Sequence, residues 1–209
     1  AYEIRNCDWS PDVCSSDLTC YLTSLKLTEE MNDSMRLVGL LSQIGHIYQN
    51  KKETTEKAIR ILLQALLITE NKKTDSLTVD ISFRIGELFS EQGEYSKALK
   101  YYYSALETYA KTGKTNEAPF LIAIGNVYMK MGDFTSALGH HFKALADSKE
   151  SNSPIDIISA LSAIGATYLA KEDVDHSIQY YLEGIKMAQE MNAVTALKEL
   201  YQEIGRAHV

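Results

Sequence analysis

Three groups of side chains in this sequence could do chemistry. Cys7, Cys14 and Cys20 gather near the start beside Trp9, the single tryptophan, and could hold a zinc ion or form a redox pair. His140 and His141 are adjacent and could ligate a metal, and the run Tyr101-Tyr102-Tyr103 could offer a stacking platform to bases. The spacings count against each. Zinc ligands pair with about two to four residues between them and add a second pair further on. Six residues separate Cys7 from Cys14 and five separate Cys14 from Cys20, with no second pair after them. Neighbouring helical residues point about 100° apart, so His140 and His141 cannot easily share a metal. His46 has no acid or nucleophile beside it, and His176 falls at a helix start, where solvation is expected. No Gly-rich phosphate loop is present, because the glycines recur periodically instead. A secretory signal is also missing from the first residues, which have no basic start and no apolar run.

The two ends read unlike the rest. DWSPDVCSSDL, residues 8–18, differs only at Pro11 from DWSSDVCSSDL, which resembles the translation of a common sequencing adapter. Ala1 to Ile4 match the adapter further upstream, with a variable index tag filling Arg5, Asn6 and part of Cys7. The last six residues, IGRAHV, match a translation of the same adapter. Residues 1–18 and 204–209 are therefore expected to be adapter-derived and are set aside from fold and function. The native segment is then 19–203, with neither natural end present.

Composition narrows the classes of function. The chain carries 21 Lys and Arg against 28 Asp and Glu, a net charge of −7. Setting aside Arg5, Arg206, Glu3, Asp8, Asp12 and Asp17 leaves 19 basic against 24 acidic residues, about −5 and scattered. A nucleic-acid surface needs a basic face or stripe, which is absent, so no nucleic-acid partner is expected. No apolar run reaches the roughly 18 residues of a membrane span, so none is expected in this segment. Cys20 alone remains in the native segment and cannot form a disulfide framework. Compartment and oligomeric state stay open.

Repetition dominates the chain. Ile-Gly followed by an aromatic occurs as IGHIY (44–48), IGELF (85–89), IGNVY (124–128) and IGATY (164–168), in steps of 41, 39 and 40 residues. YLTSLKLTEEMN (21–32) echoes YLEGIKMAQEMN (181–192) four periods later. Each unit reads as two amphipathic helices. Leu121, Ile124, Val127 and Tyr128 form one helical stripe, and Gly132-Asp133 supplies a C-cap glycine followed by an N-cap acid. Gly93-Glu94 does the same less ideally, and Pro119 and Pro154 stand at or near helix starts, where the missing N–H costs little. The chain divides into the end of a preceding repeat (19–33), repeat 1 (34–73), repeat 2 (74–114), repeat 3 (115–153), repeat 4 (154–192) and the start of a fifth (193–203).

These residues resemble the tetratricopeptide repeat. Repeat 2 carries the pattern in Ile85, Gly86, Phe89, Gly93, Tyr95, Ala98, Tyr102 and Ala105. Repeat 3 has Leu121, Ile124, Gly125, Tyr128, Gly132, Phe134, Ala137 and Ala144, with His141 in an aromatic slot that makes it a packed core histidine. Repeat 4 keeps Leu161, Ile164, Gly165, Tyr168 and Tyr181 but has Ser177 and Gly184 at small positions. Repeat 1 has Ile44, Gly45, Tyr48, Ala58 and Ala65, with one extra residue in its turn. HEAT-type repeats have a similar period, but the small positions and Gly-acid turns fit the tetratricopeptide pattern better. In that pattern Gly and Ala let two helices approach, and aromatics fill the space beside them.

The resemblance implies an all-α fold, an α–α superhelix of antiparallel helix pairs. Its groove would be lined by Ser42, His46, Gln49 and Asn50 in repeat 1 and by Phe83, Glu87, Ser90 and Glu91 in repeat 2. Ile122, Asn126, Met129 and Lys130 follow in repeat 3, and Ser162, Ala166 and Leu169 in repeat 4. Such a mixed surface suits a protein or peptide partner, with no cofactor, no metal and no catalytic residue implied. The carboxylate clamp of chaperone-type repeats is not expected, because Asn126 matches one clamp position while Ile122 and Phe83 stand where lysines belong. The 40-residue register is similar to that of arrays beside bacterial sensor histidine kinases, DNA-binding regulators or nucleotide cyclases. Two readings follow: a free-standing binding scaffold, or the sensory arm of a signalling protein.

Overall fold

The computed structural model describes residues 55–72 and 75–207. The three cysteines, Trp9 and the repeat-1 groove positions Ser42, His46, Gln49 and Asn50 lie outside them. The described residues form eight α-helices and no strand. They belong to two compact units that divide after Gln92.

The first unit contains α1 (Thr55–Lys72) and α2 (Asp75–Glu91), which pack together. On α1 the buried side chains are Ala58, Ile59, Leu62, Ala65 and Leu66, a stripe with helical spacing. On α2 they are Val79, Ile81, Ile85 and Leu88, with Gly86 also buried. The Thr69 hydroxyl donates to the Leu66 carbonyl at 2.9 Å, which satisfies a buried polar group locally.

The second unit contains α3 (Tyr95–Lys111), α4 (Ala118–Lys130), α5 (Phe134–Glu150), α6 (Pro154–Ala170), α7 (Val174–Glu190) and α8 (Val194–Ala207). Each helix packs on the next, and α4, α6 and α8 also touch one another in order. The alternate helices α4, α6 and α8 therefore make an inner row.

Three-residue turns reverse the chain between paired helices. Gly132 takes φ 81°, Asp133 accepts the Ser136 N–H at 3.0 Å, and the Asp133 N–H returns to the Tyr128 carbonyl. Asp173 repeats the cap on His176, but there the left-handed residue is Glu172, at φ 66°. Helix α4 has no cap from Glu117. Its Ala118 N–H is taken instead by the Asp147 carboxylate of α5 at 2.9 Å, so a tertiary contact does the work of a local one. Successive repeats are stitched by Asp156, which accepts from Asn116 at 2.6 Å and from Ser153.

The core runs along the stack. Leu121, Ala144, Leu145, Ile157, Ala160, Leu161 and Ile164 form one cluster across three helices. Tyr181, Ile185, Ala188, Ile158 and Leu200 form the next. Each fully buried Leu or Ile contributes about 1.5–3 kcal/mol over an exposed one. Two glycines set the helix spacing. A Cβ on Gly125 would fall on the His141 ring, and one on Gly165 would meet the Tyr181 ring at 2.8 Å.

Candidate binding groove

The inner row α4, α6 and α8 leaves a cavity of about 690 Å³. Four of the positions read from the sequence line it: Ile122 and Asn126 from α4, and Ser162 and Ala166 from α6. All four are half-buried. The other three in these repeats lie apart from it. Met129 is half-buried with its Sδ 3.5 Å from Thr167 Oγ1, Lys130 is exposed at the end of α4, and Leu169 is half-buried near the end of α6. On α2, in the other compact unit, Phe83 and Glu87 are half-buried, Ser90 is buried and Glu91 is exposed.

The cavity also has walls that sequence reasoning left out. They come from the first turns of α6, with Ile155, Ile158 and Ser159, from Ala163, and from the facing side of α8. The signal was available. One further step of 40 residues carries Ile155 to Thr195, Ser159 to Glu199 and Ala163 to Glu203, and all three of those α8 residues line the cavity. The reading stopped at repeat 4 and so lost one wall.

Behind the inner row, His141 is fully buried between α4, α5 and α6. Its Nδ1 is 3.0 Å from Thr167 Oγ1. Thr167 Oγ1 also lies 2.8 Å from the Ala163 carbonyl and 3.5 Å from Met129 Sδ, so the hydroxyl ties His141 to two helices. Nε2 is buried and has no hydrogen bond of good geometry. Burial pushes the His141 pKa down to about 4; a backbone hydrogen bond with Ile122 opposes this only in part.

Rings also pack between inner and outer helices. His140 stacks on Tyr128 with ring centres 5.4 Å apart, and Tyr180 stacks on Tyr168 at 5.6 Å. The edge of Tyr103 meets His140, and Phe142 meets Tyr180 in the same way. Of the tyrosine run, Tyr102 is buried and Tyr103 is exposed at this seam, its hydroxyl pushed up to about 12 by burial and by Tyr128 beside it. The stacked pairs pack within a repeat and the edge contacts join neighbouring repeats, which accounts for the rings by packing. His176 is exposed, as expected, and also bonds Asp173 at 2.8 Å and stacks on Tyr168. That bond holds the Asp173 carboxyl below its usual range. His140 is pulled down by burial and by Lys143.

Among the described residues no three His, Cys, Asp or Glu side chains gather closely enough to hold a metal ion. No described helix is long and apolar enough to cross a membrane.

Comparison with known proteins agrees with this geometry. Three family models described as tetratricopeptide repeat match residues 37–111, 121–153 and 158–191. No curated protein matches the chain. Among solved structures, the Rap protein complexed with competence and sporulation factor is similar at 22% identity and TM-score 0.74, over 88% of this chain and 52% of that one. The STAND signal-transduction ATPase with a tetratricopeptide repeat sensor from Pyrococcus horikoshii is similar at 17% identity and TM-score 0.76, over 91% of this chain and 30% of that one. BtubC from P. vanneervenii is similar at 17% identity and TM-score 0.70, over 91% of this chain and 84% of that one. The chain thus spans about half of the Rap structure and under a third of the STAND protein. At these identities the likeness is one of fold: an all-α, α–α superhelix class of antiparallel helix pairs.

Proposed function

This chain is a tetratricopeptide repeat protein, and from that premise we propose that it is a non-catalytic scaffold that binds a protein or peptide partner. The observation that carries this reading is the cavity where Ile122, Asn126, Ser162 and Ala166 converge between the inner helices. It offers apolar walls with a few polar groups and no assembled nucleophile, base or metal set, which suits recognition better than reaction. We extend the proposal to a sensory or regulatory arm of a bacterial signalling protein with a histidine-kinase-like output. Support comes from the Rap structure, named as a complex with competence and sporulation factor, and from the STAND protein, named as having a repeat sensor. A free-standing adaptor, or the regulatory part of a transcription factor or nucleotide cyclase, is the second reading.

Selection of peptides from a displayed random library on the full chain tests the binding reading. Selected peptides should lose binding to Ser159→Trp, which fills the cavity from an exposed position, while helicity stays unchanged. Peptides that bind the variant equally well would place recognition elsewhere. Reading the source DNA outward from Thr19 and Glu203 tests the arm and the adapter-derived flanks together. A kinase, cyclase or DNA-binding segment downstream supports the arm, a stop soon after supports the adaptor, and native flanks as written defeat the adapter assignment.

A further inference from the structure

We infer that the cavity between α6 and α8 selects a basic, apolar peptide: an aliphatic side chain seated in the cavity, with a lysine or arginine beside it. This rests on the binding reading above and deepens it. The apolar part comes from Ile122, Ile155, Ile158 and Val194. Ile155 and Val194 stand at the rim 69% and 75% exposed, far more than aliphatic side chains in the surrounding core. Covering them with a partner's aliphatic group removes apolar area from water without disturbing the helices.

The charge comes from one side only. Among the described residues, Glu199 and Glu203 are the charged ones lining the cavity, and no Lys, Arg or His lines it. Among the described residues Glu199 has no ion-pair partner. Among the described residues Glu203 pairs with Arg206, three residues on and outside the lining. An acidic peptide would therefore bring its charge against two carboxylates, and a basic one would meet them with opposite sign. The neighbouring wall adds Asn126, Ser159 and Thr195, neutral groups able to hydrogen-bond a peptide backbone. The repeat register produces this asymmetry. Ser159 and Ala163 on α6 become Glu199 and Glu203 one repeat later on α8, so the acid enters at one end of the cavity.

The test uses two labelled peptides of equal length and equal leucine content, one with lysines and one with glutamates between the leucines. Each is titrated into the full chain at low salt and followed by fluorescence anisotropy. The lysine peptide is expected to bind at least roughly fivefold tighter, the effect of about one favourable exposed pair. Salt should narrow the difference, Glu199→Gln should reduce it, and Glu199→Lys should reverse it. Equal binding of the two peptides, no binding of the lysine peptide, or an unchanged preference in Glu199→Lys overturns the inference. If binding without charge preference is still lost in Ser159→Trp, the cavity remains the binding site and only its selectivity has been misjudged. If the lysine peptide binds Ser159→Trp as well as the parent, the cavity reading itself falls.

Discussion

Repeats 3 and 4 solve one packing problem with different chemistry. In each, a glycine on the inner helix receives an aromatic ring from the outer helix: Gly125 receives His141, and Gly165 receives Tyr181. Both rings are fully buried. His141 Nδ1 hydrogen-bonds Thr167 of the next repeat, whereas the Tyr181 hydroxyl makes no hydrogen bond of good geometry. Burial lowers the His141 pKa to about 4, and burial together with the charge of Glu203 raises that of Tyr181 to about 12, with Ser177 and Arg206 opposing. The slot asks for a flat ring of limited size. What the ring can ionise to decides under which conditions that repeat is weak.

The largest expected effect follows from this contrast. The folded His141 pKa lies below its ordinary value, so the unfolded chain binds more protons between the two. Its contribution is complete above pH 6.5 and is lost as pH falls toward 4. A shift of this size corresponds to a loss on the order of 3 kcal/mol. Thermal unfolding followed by circular dichroism should show a marked fall in Tm across that window, and His141→Phe should flatten it. For Tyr181 the folded pKa lies above the ordinary one, so stability is complete below pH 10 and is lost as pH rises from 10 toward 12. Tyr181→Phe should remove that alkaline loss and leave the acid one intact. If both variants alter the same limb of the pH profile, the contrast is wrong.

A smaller effect tests the glycines. Gly125→Ala and Gly165→Ala each overpack the slot and should cost about 1–3 kcal/mol. The Gly125 change should cost more, since its Cβ would fall deeper into the ring. Adding His141→Ala to Gly125→Ala should restore part of the loss in a double-mutant cycle. Strict additivity would mean that the two positions do not touch.

The smallest effect compares the turns. Gly132 and Glu172 hold equivalent left-handed positions, at φ 81° and 66°. Glu172→Gly should stabilise repeat 4 by about 1 kcal/mol, and Gly132→Ala should destabilise repeat 3 by a similar amount. Chemical denaturation resolves both, and a loss of stability in Glu172→Gly would contradict the turn geometry.

Much of this was legible in sequence because it is local or periodic. Gly132-Asp133 encodes its turn within two residues, and Gly125 and Gly165 recur with the period. His141 could be assigned to the core because its neighbours in the register are aromatic. Thr167 could not be assigned as its partner, since nothing in its own helix marks it for a histidine 26 residues earlier. Asp147 capping α4 was equally hidden, being 29 residues from Ala118. The groove was half legible. Ile122, Asn126, Ser162 and Ala166 were implied by the family resemblance, but a cavity is a property of the gap between helices, and its far wall belongs to the next repeat.

The left-handed residues stand at 93, 113, 132, 152, 172 and 192, every nineteen or twenty positions. They mark both kinds of junction, inner to outer and outer to inner. The backbone therefore counts in single helices, while the side chains count in pairs. Length can change without loss of phase only in whole pairs. Duplicating about forty residues would add another wall of the same face, whereas inserting about twenty would exchange inner and outer roles for every helix that follows. A single residue lost within a helix would turn the remainder of that helix by about 100° against its neighbours. In a gene built this way, the tolerated unit of insertion or deletion is the helix pair.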